Sequence, residues 1–229
     1  KKQKVGIVVK GCDSRAVIEL LQEKLINKDN LVVFGLHCDG VVSLEKIRKR
    51  IGELGLVSSA QVNGDTLTVT RSDDTHSLPI SEIRMNKCEI CQYPNALISD
   101  HFIGSPVDRD DSVAPVHESV EEFDTWSLEE RFAFWKREMS RCIRCYACRN
   151  TCPMCVCKNH CVAVTREPHW LSQENTAAEN WMFQMIHVMH LTGRCVVCGE
   201  CERACPMGIQ SVMSLITIPD LIHRAHRPC

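Results

Sequence analysis

No stretch of this chain approaches the run of about 18 apolar residues that a membrane-spanning helix requires, so no direct membrane span is expected. A surplus of one charge is missing too: 27 Lys and Arg stand against 29 Asp and Glu, a net charge of −2. Nucleic acid and anionic membranes select strongly basic faces, so neither is expected as the main partner. There is no Walker loop, no GxGxxG turn and no evident Ser-His-Asp or Cys-His arrangement. No bond-breaking centre is therefore legible. The opening KKQKVGIVV is charged and then apolar, but VGIVV is too short for a signal-peptide core and no small-residue cleavage site follows. It reads as the continuation of a sequence rather than as a targeting segment.

What the chain has in excess is cysteine, 16 in 229 residues. That density is several times ordinary usage yet below that of a small disulfide scaffold. Disulfide frameworks spread cysteines through loops, whereas here they recur at two-residue spacings, as metal ligands do. A metal-binding protein of a reducing, cytoplasmic compartment is expected.

The first part reads as α/β. KVGIVV is a continuous β-branched run, as a buried parallel strand would be, and LVVFGL (31–36) is a second. Between them DSRAVIELLQEKLI reads as a helix, capped by Asp13 or Ser14, with Val17, Leu20, Leu21 and Leu25 on one face. SLEKIRKRIGEL (43–54) reads as a helix capped by Ser43, and QVNGDTLTVT as a hairpin turning at Asn-Gly. Residues 92–122, rich in Pro, Asp and Ser, read as a linker or extended wrap. Helices are then expected over 127–141 and 177–191, with weak helical character in the tail. The fold class is α+β. An N-terminal α/β domain (1–122) with a small, partly parallel sheet precedes a mostly helical, cysteine-rich domain (123–229).

Two motifs carry the strongest signal. Cys142, Cys145, Cys148 and Cys152 before Pro153 form CxxCxxCxxxCP, and Cys195, Cys198, Cys201 and Cys205 before Pro206 repeat it. Three thiolates two residues apart wrap three irons of one cubane. The fourth, set off by the proline, reaches the other cubane. The expected 4Fe-4S ligand sets are therefore Cys142, Cys145, Cys148 and Cys205, and Cys195, Cys198, Cys201 and Cys152. Zinc ribbons would want two CxxC pairs instead of triplets followed by Cys-Pro. The segment resembles the two-cluster bacterial-type ferredoxin module, with the longer insert 153–194 between its halves.

A quieter signal lies upstream. Cys12 follows the first strand and Cys38 the second, so both would emerge at the carboxyl edge of a parallel sheet, where ligands bind. Cys88 and Cys91 add a CxxC pair. Four thiols suffice for a third cubane, and two core cysteines beside an isolated CxxC would explain the same residues. KGCDSRAVIELLQ, FGLHCDG and KCEICQYPNALISDHFIG, in this order ahead of a dicluster module, resemble the iron–sulfur beta subunits of formate dehydrogenase and deazaflavin-reducing (coenzyme F420) hydrogenase. That resemblance implies a 4Fe-4S cluster on Cys12, Cys38, Cys88 and Cys91. Deazaflavin-handling members hold FAD with a Gly/Ser-rich segment ahead of the first strand. The chain has no such segment there, so FAD stays an open cofactor.

Cys155, Cys157 and Cys161 exceed what two clusters need. One reading is a further metal site completed by His160, His169 or Cys229. A second is zinc on three thiolates and an imidazole, and a third is redox-active or packed thiols. His187 and His190 are expected in the core of their helix. Arg141, Arg144, Arg149 and Lys158 would balance cluster charge or rim a docking face. The expected function is an iron–sulfur electron-transfer subunit of an anaerobic, multi-subunit oxidoreductase. Its neighbours would be hydrogenase, formate dehydrogenase or heterodisulfide-reductase subunits. Two alternatives are a flavin-dependent subunit that itself turns over a deazaflavin or nicotinamide coenzyme, and a zinc-stabilised interaction protein.

Overall fold

The structure is a computed structural model that describes residues 3–72, 74–108, 122–157, 160–165 and 174–209, with residues 167, 169 and 172. The chain begins as a βαβ unit: β1 (Val5–Val9), α1 (Gly11–Gln22) and β2 (Leu31–Leu36). After α2 (Leu44–Ile51), a meander of β3 (Val57–Asn63), β4 (Thr66–Arg71) and β5 (Thr75–Pro79) leads into two single-turn helices, α3 (Ile80–Ile83) and α4 (Asn86–Glu89). Then β6 (His101–Ile103) returns to pair with β2. The expected partly parallel sheet is thus two sheets. One is wholly parallel in the order β1-β2-β6, the other wholly antiparallel in the order β3-β4-β5.

Sequence pattern explains most of these elements. The Ser43 hydroxyl accepts from the Lys46 N–H and caps α2, as expected. Asn63-Gly64 turns the hairpin, with Gly64 at φ +56°, and the alternation of β4 drops Leu67 and Val69 onto Ile47, Leu78 and Ile83. Three details differ from the sequence reading. First, α1 starts at Gly11, and Asp13 acts from its first turn, accepting from the backbone N–H (3.4 Å) and Nζ (2.7 Å) of Lys10. Second, Lys24 adopts φ +57° and ends the helical path, so Leu25 is exposed rather than on the buried face. Third, β1 is an edge strand whose Val5 and Val8 are exposed; Val9 alone is sealed. An apolar run shows affinity for a sheet, and it does not reveal whether the strand ends up central.

The presumed linker also holds structure. The Asp100 carboxylate accepts from the Val33 N–H (2.8 Å) and from Lys28 (2.7 Å), docking β6 on β2. Upstream, residues 92–97 clamp onto the start of α1. Buried Ser14 donates to the Gly11 carbonyl (2.7 Å) and accepts from the Leu97 N–H (2.9 Å), while Cys38 N–H donates to the Pro94 carbonyl (2.7 Å). The Arg15 guanidinium lies over the Tyr93 ring at 4.3 Å. These contacts carry the Cys88–Cys91 segment to the strand ends that bear Cys12 and Cys38. Residues 109–121 of the expected linker, and the tail from 210 onward, lie outside the described residues.

The second half is helical: α5 (Leu128–Arg141), α6 (Ala147–Thr151), α7 (Val162–Thr165), α8 (Ala177–Leu191) and α9 (Glu200–Ala204). A capping box between Ser127 and Glu130 starts α5, and the Thr176 hydroxyl starts α8. Helices α5 and α8 pack together, as do α6 and α9. Buried Asn180 donates to the carbonyls of Met139 (3.2 Å) and Cys142 (2.9 Å), fixing the point where α5 ends and the first cysteine motif begins. The two halves share a core through α1. Val17 and Leu21 pack with Val9 and Val33, while Ala16 and Leu20 pack with Met154, Val188, Leu191 and Val196.

Gly11 is held by that packing. A Cβ placed on it would sit 1.9 Å from the Tyr93 carbonyl oxygen. Gly11→Ala is expected to destabilise the fold by about 1–3 kcal/mol, as overpacking does. Denaturant unfolding under anaerobic conditions reads this as a lowered midpoint, and an unchanged midpoint would contradict the close approach.

Candidate iron–sulfur centres

The two cysteine motifs adopt the same backbone. In the first, Arg144 (φ +53°) and Tyr146 (φ +59°) are left-handed; in the second, Val197 (φ +50°) and Gly199 (φ +66°) occupy the same places. A β-branched valine in this region is strained, so the surroundings must over-determine it. The turn aims backbone N–H groups at sulfur. Arg144 N–H donates to Cys142 Sγ and Val197 N–H to Cys195 Sγ, both at 3.4 Å. Such a run of inward N–H groups makes a concavity suited to negative charge, as around iron–sulfur centres. Each turn then enters a short helix, α6 or α9, with Cys148 or Cys201 near its start and Cys152 or Cys205 just past its end.

Because α6 lies against α9, the last cysteine of each motif is delivered to the other. Cys205 joins Cys142, Cys145 and Cys148 around one cavity, where Ile209 N–H donates to Cys205 Sγ (3.4 Å) and Gln184 Nε2 to Cys148 Sγ (3.7 Å). Cys152 lies within charge range of Cys195 and Cys198, and the three pack with Cys201 in one core. Burial raises the Cys148 and Cys152 thiols to about 11, offset in part by the hydrogen bonds they accept and reinforced by neighbouring thiolates. Cys142 and Cys195 are raised for the same first reason. Thiols so crowded ionise together only with a cation among them, and a coordinated thiol is deprotonated outright. The donor set therefore fits a metal–sulfur centre.

The four upstream cysteines also meet. Cys12, Cys38, Cys88 and Cys91 line a cavity of about 650 Å³ together with Lys10, Arg15, Lys87 and Tyr93. Gly40, at φ +97°, donates its N–H to Cys38 Sγ, and Val41 N–H donates to Cys88 Sγ, both at 3.4 Å. Burial raises the Cys12 and Cys88 thiols. The far wall of this cavity is Val197, Cys198 and Gly199 of the second motif.

That junction is tightly made. A Cβ on Gly199 would lie 2.5 Å from the Lys87 Cβ, Lys87 pairs with Glu200, and Asn86 donates to Glu202 (3.3 Å). Burial alone would raise the Glu200 carboxyl, but hydrogen bonds from Lys87 and Arg203 outweigh it and hold the group below its ordinary range. Sequence reasoning missed Lys87, Glu200 and Gln184. For Lys87 the only trace was its place next to Cys88, because an ion pair across the fold has no local pattern.

Of Cys155, Cys157 and Cys161, the last two meet Arg149, whose Nε donates to Cys161 Sγ (3.1 Å) and whose Nη2 donates to the Cys157 carbonyl (3.2 Å). His160 and His169, offered as further ligands, are exposed, and Cys229 and Lys158 lie outside the described residues. Among the described residues, no three Cys, His, Asp or Glu side chains converge tightly enough for a single metal ion. A cubane differs, since it spreads its thiolates over four irons. His187 is buried as expected. His190 is exposed, because the apolar side chains around it include an outward face of Met182, Met185 and Met189. Arg144 turns inward, donating to the Glu174 carbonyl (3.1 Å), and Arg141 pairs with buried Glu138.

Comparison with known proteins follows the same division. Residues 2–128 match the family model that describes the C terminus of the coenzyme F420 hydrogenase/dehydrogenase beta chain. Residues 138–209 match the one described as 4Fe-4S dicluster domain. The chain is 24% identical over 262 residues to the F420-dependent formate dehydrogenase subunit beta of Methanocaldococcus jannaschii, covering 90% of this chain and 68% of that protein. It is 24% identical over 246 residues to the F420-dependent formate dehydrogenase 1 subunit beta of Methanococcus maripaludis, covering 82% of this chain and 62% of the relative. The chain thus spans about two thirds of the length of these relatives.

Lys87→Met leaves Glu200 half-buried and short of a partner, an expected loss of about 1–3 kcal/mol near neutral pH. Glu200 is the depressed-carboxylate case. Its contribution is complete above the ordinary value of 4.5 and disappears as pH falls through the lower folded value. The gap between wild type and variant should therefore close on acidification, as followed by thermal unfolding; a gap independent of pH would argue against the pair.

Proposed function

Because the chain belongs to the coenzyme F420 hydrogenase/dehydrogenase beta-subunit family, we propose that it relays single electrons for a multi-subunit oxidoreductase through three 4Fe-4S clusters. Cys142, Cys145, Cys148 and Cys205 hold one; Cys195, Cys198, Cys201 and Cys152 hold the second; Cys12, Cys38, Cys88 and Cys91 hold the third. Each cluster, when bound, takes up and returns one electron. The residues of this chain do the rest. The left-handed turns present N–H groups to the sulfurs, Gln184 adds a side-chain donor, and Met154, Val188 and Leu191 exclude water. Lys10 and Lys87 bring positive charge to the upstream set.

What supports this reading is that two motifs with the same left-handed turns lie against each other, with Cys205 beside Cys142, Cys145 and Cys148 and Cys152 beside Cys195 and Cys198. The shared wall at Cys198 and Gly199 supports an order in which the upstream cluster neighbours the Cys195 cluster, which neighbours the Cys142 cluster. Formate dehydrogenase, hydrogenase or heterodisulfide-reductase subunits would lie at either end, in a reducing cytoplasm. Among the described residues no helix is long and apolar enough to cross a membrane. A second reading has its own support. The 650 Å³ cavity beside Cys12, bounded by Lys10, Arg15 and Lys87, could seat an anionic coenzyme or flavin that this protein reduces.

Anaerobic iron and acid-labile sulfide analysis with EPR of the reduced protein tests the relay. About 12 irons per chain is the expected result. About 8 would remove the upstream cluster, about 16 would add one at Cys155, Cys157 and Cys161, and zinc in place of iron would contradict electron transfer altogether.

A further inference from the structure

We infer that residues 143–146 form the docking face for an acidic one-electron carrier protein, through which electrons enter or leave the Cys142 set. This inference rests on the relay reading above. It starts from an asymmetry between two motifs with the same left-handed turns. In the second motif, residues 196–199 are covered by the N-terminal half. Val196 is 8% exposed and packs in one core with Ala16 of α1, and Val197, Cys198 and Gly199 wall the cavity that holds Cys88 and Cys91. In the first motif the matching positions are open. Ile143 is 52% exposed, and Cys145 alone among the cysteines described is exposed. One motif thus meets a cysteine-bearing segment on this face, and its twin turns the same face to solvent.

The chemistry of the face selects the partner. Exposed Ile143 supplies an apolar contact for the centre of a docking patch, where water is excluded. Tyr146, in the place of Gly199, turns its ring onto Phe183 (5.0 Å) and leaves Cys145 uncovered. Around these residues the charge is net positive. Exposed Lys136, Arg137 and Arg141 stand on the last two turns of α5, where the two arginines share one carboxylate, that of buried Glu138. Across the loop exposed Glu174 opposes them, while Arg144 is turned inward against the Glu174 carbonyl and Glu179. At the covered motif, Glu200 and Glu202 receive Lys87 and Asn86. The matching residues here are Ala147 and Arg149, so the acidic side of the contact falls to the incoming protein. One electron crosses at this face, reducing one centre as it oxidises the other, with no bond made or broken and no proton moved.

The test uses the anaerobic, cluster-loaded full chain, with a pre-reduced acidic two-cluster ferredoxin as donor and stopped-flow absorbance as readout. The second-order rate of electron transfer should fall as ionic strength rises. Ile143→Glu should slow it about tenfold and Lys136→Glu about threefold, with iron and the extent of reduction by dithionite unchanged. Val62→Glu, at an exposed site on β3, should leave the rate as it was. Wild-type rates in both iron-replete variants would overturn the docking face, as would an equal slowing in Val62→Glu. If Ile143→Glu loses iron, Lys136→Glu decides alone. A rate that ignores salt, or no transfer from the ferredoxin to a chain that dithionite reduces, would overturn the acidic carrier. Failure of the relay is read separately, as wild-type iron well below about 12.

Discussion

Everything in this molecule is arranged around thiols that cannot ionise together unaided. Burial, reinforced by neighbouring thiols, pushes Cys148 and Cys152 to about 11, and the surrounding protein answers with N–H groups and strained turns that stabilise sulfur bearing negative charge. The left-handed Val197 would be hard to explain in an ordinary loop. It follows directly if the N–H of that residue must face Cys195 Sγ. The same demand produces the same backbone at Arg144, a position with no sequence likeness to Val197 beyond its distance from the cysteines.

Packing joins the cysteine-bearing segments into one body. Helix α1 sends Val17 into the parallel sheet and Ala16 into the core around Met154, so the strand ends that bear Cys12 and Cys38 are fixed relative to the dicluster module. The missing Cβ of Gly199 admits Lys87 against the second motif, and Gly11 admits Tyr93 against the first helix. Both glycines serve close approach of the segments that carry the cysteines, the spacing on which the proposed relay depends. Function here resides in spacing more than in any single reactive side chain.

Much of this was legible in the sequence because cysteine spacing is a local property. CxxCxxCxxxCP encodes a left-handed turn and a short helix within one short segment, and α5 and α8 followed from their caps and periodicity. What was not legible depends on distant partners. The β6 strand, read as linker, exists because Asp100 finds the Val33 N–H. The exposure of β1 reflects its place at the sheet edge, which its own residues do not record. The Lys87–Glu200 pair joins residues far apart in the chain. Cys155, Cys157 and Cys161 were conspicuous, but only the fold reveals that Arg149 donates to the Cys161 sulfur and the Cys157 carbonyl.

The central claim is that each motif completes the other's cluster. EPR of reduced, anaerobic Cys152→Ser and Cys205→Ser proteins tests it most directly, with Cys142→Ser and Cys195→Ser as references. The account predicts that Cys205→Ser perturbs the same signal as Cys142→Ser, and that Cys152→Ser perturbs the signal altered in Cys195→Ser. If Cys152→Ser instead matched Cys142→Ser, each motif would hold its own cluster and the exchange would be wrong.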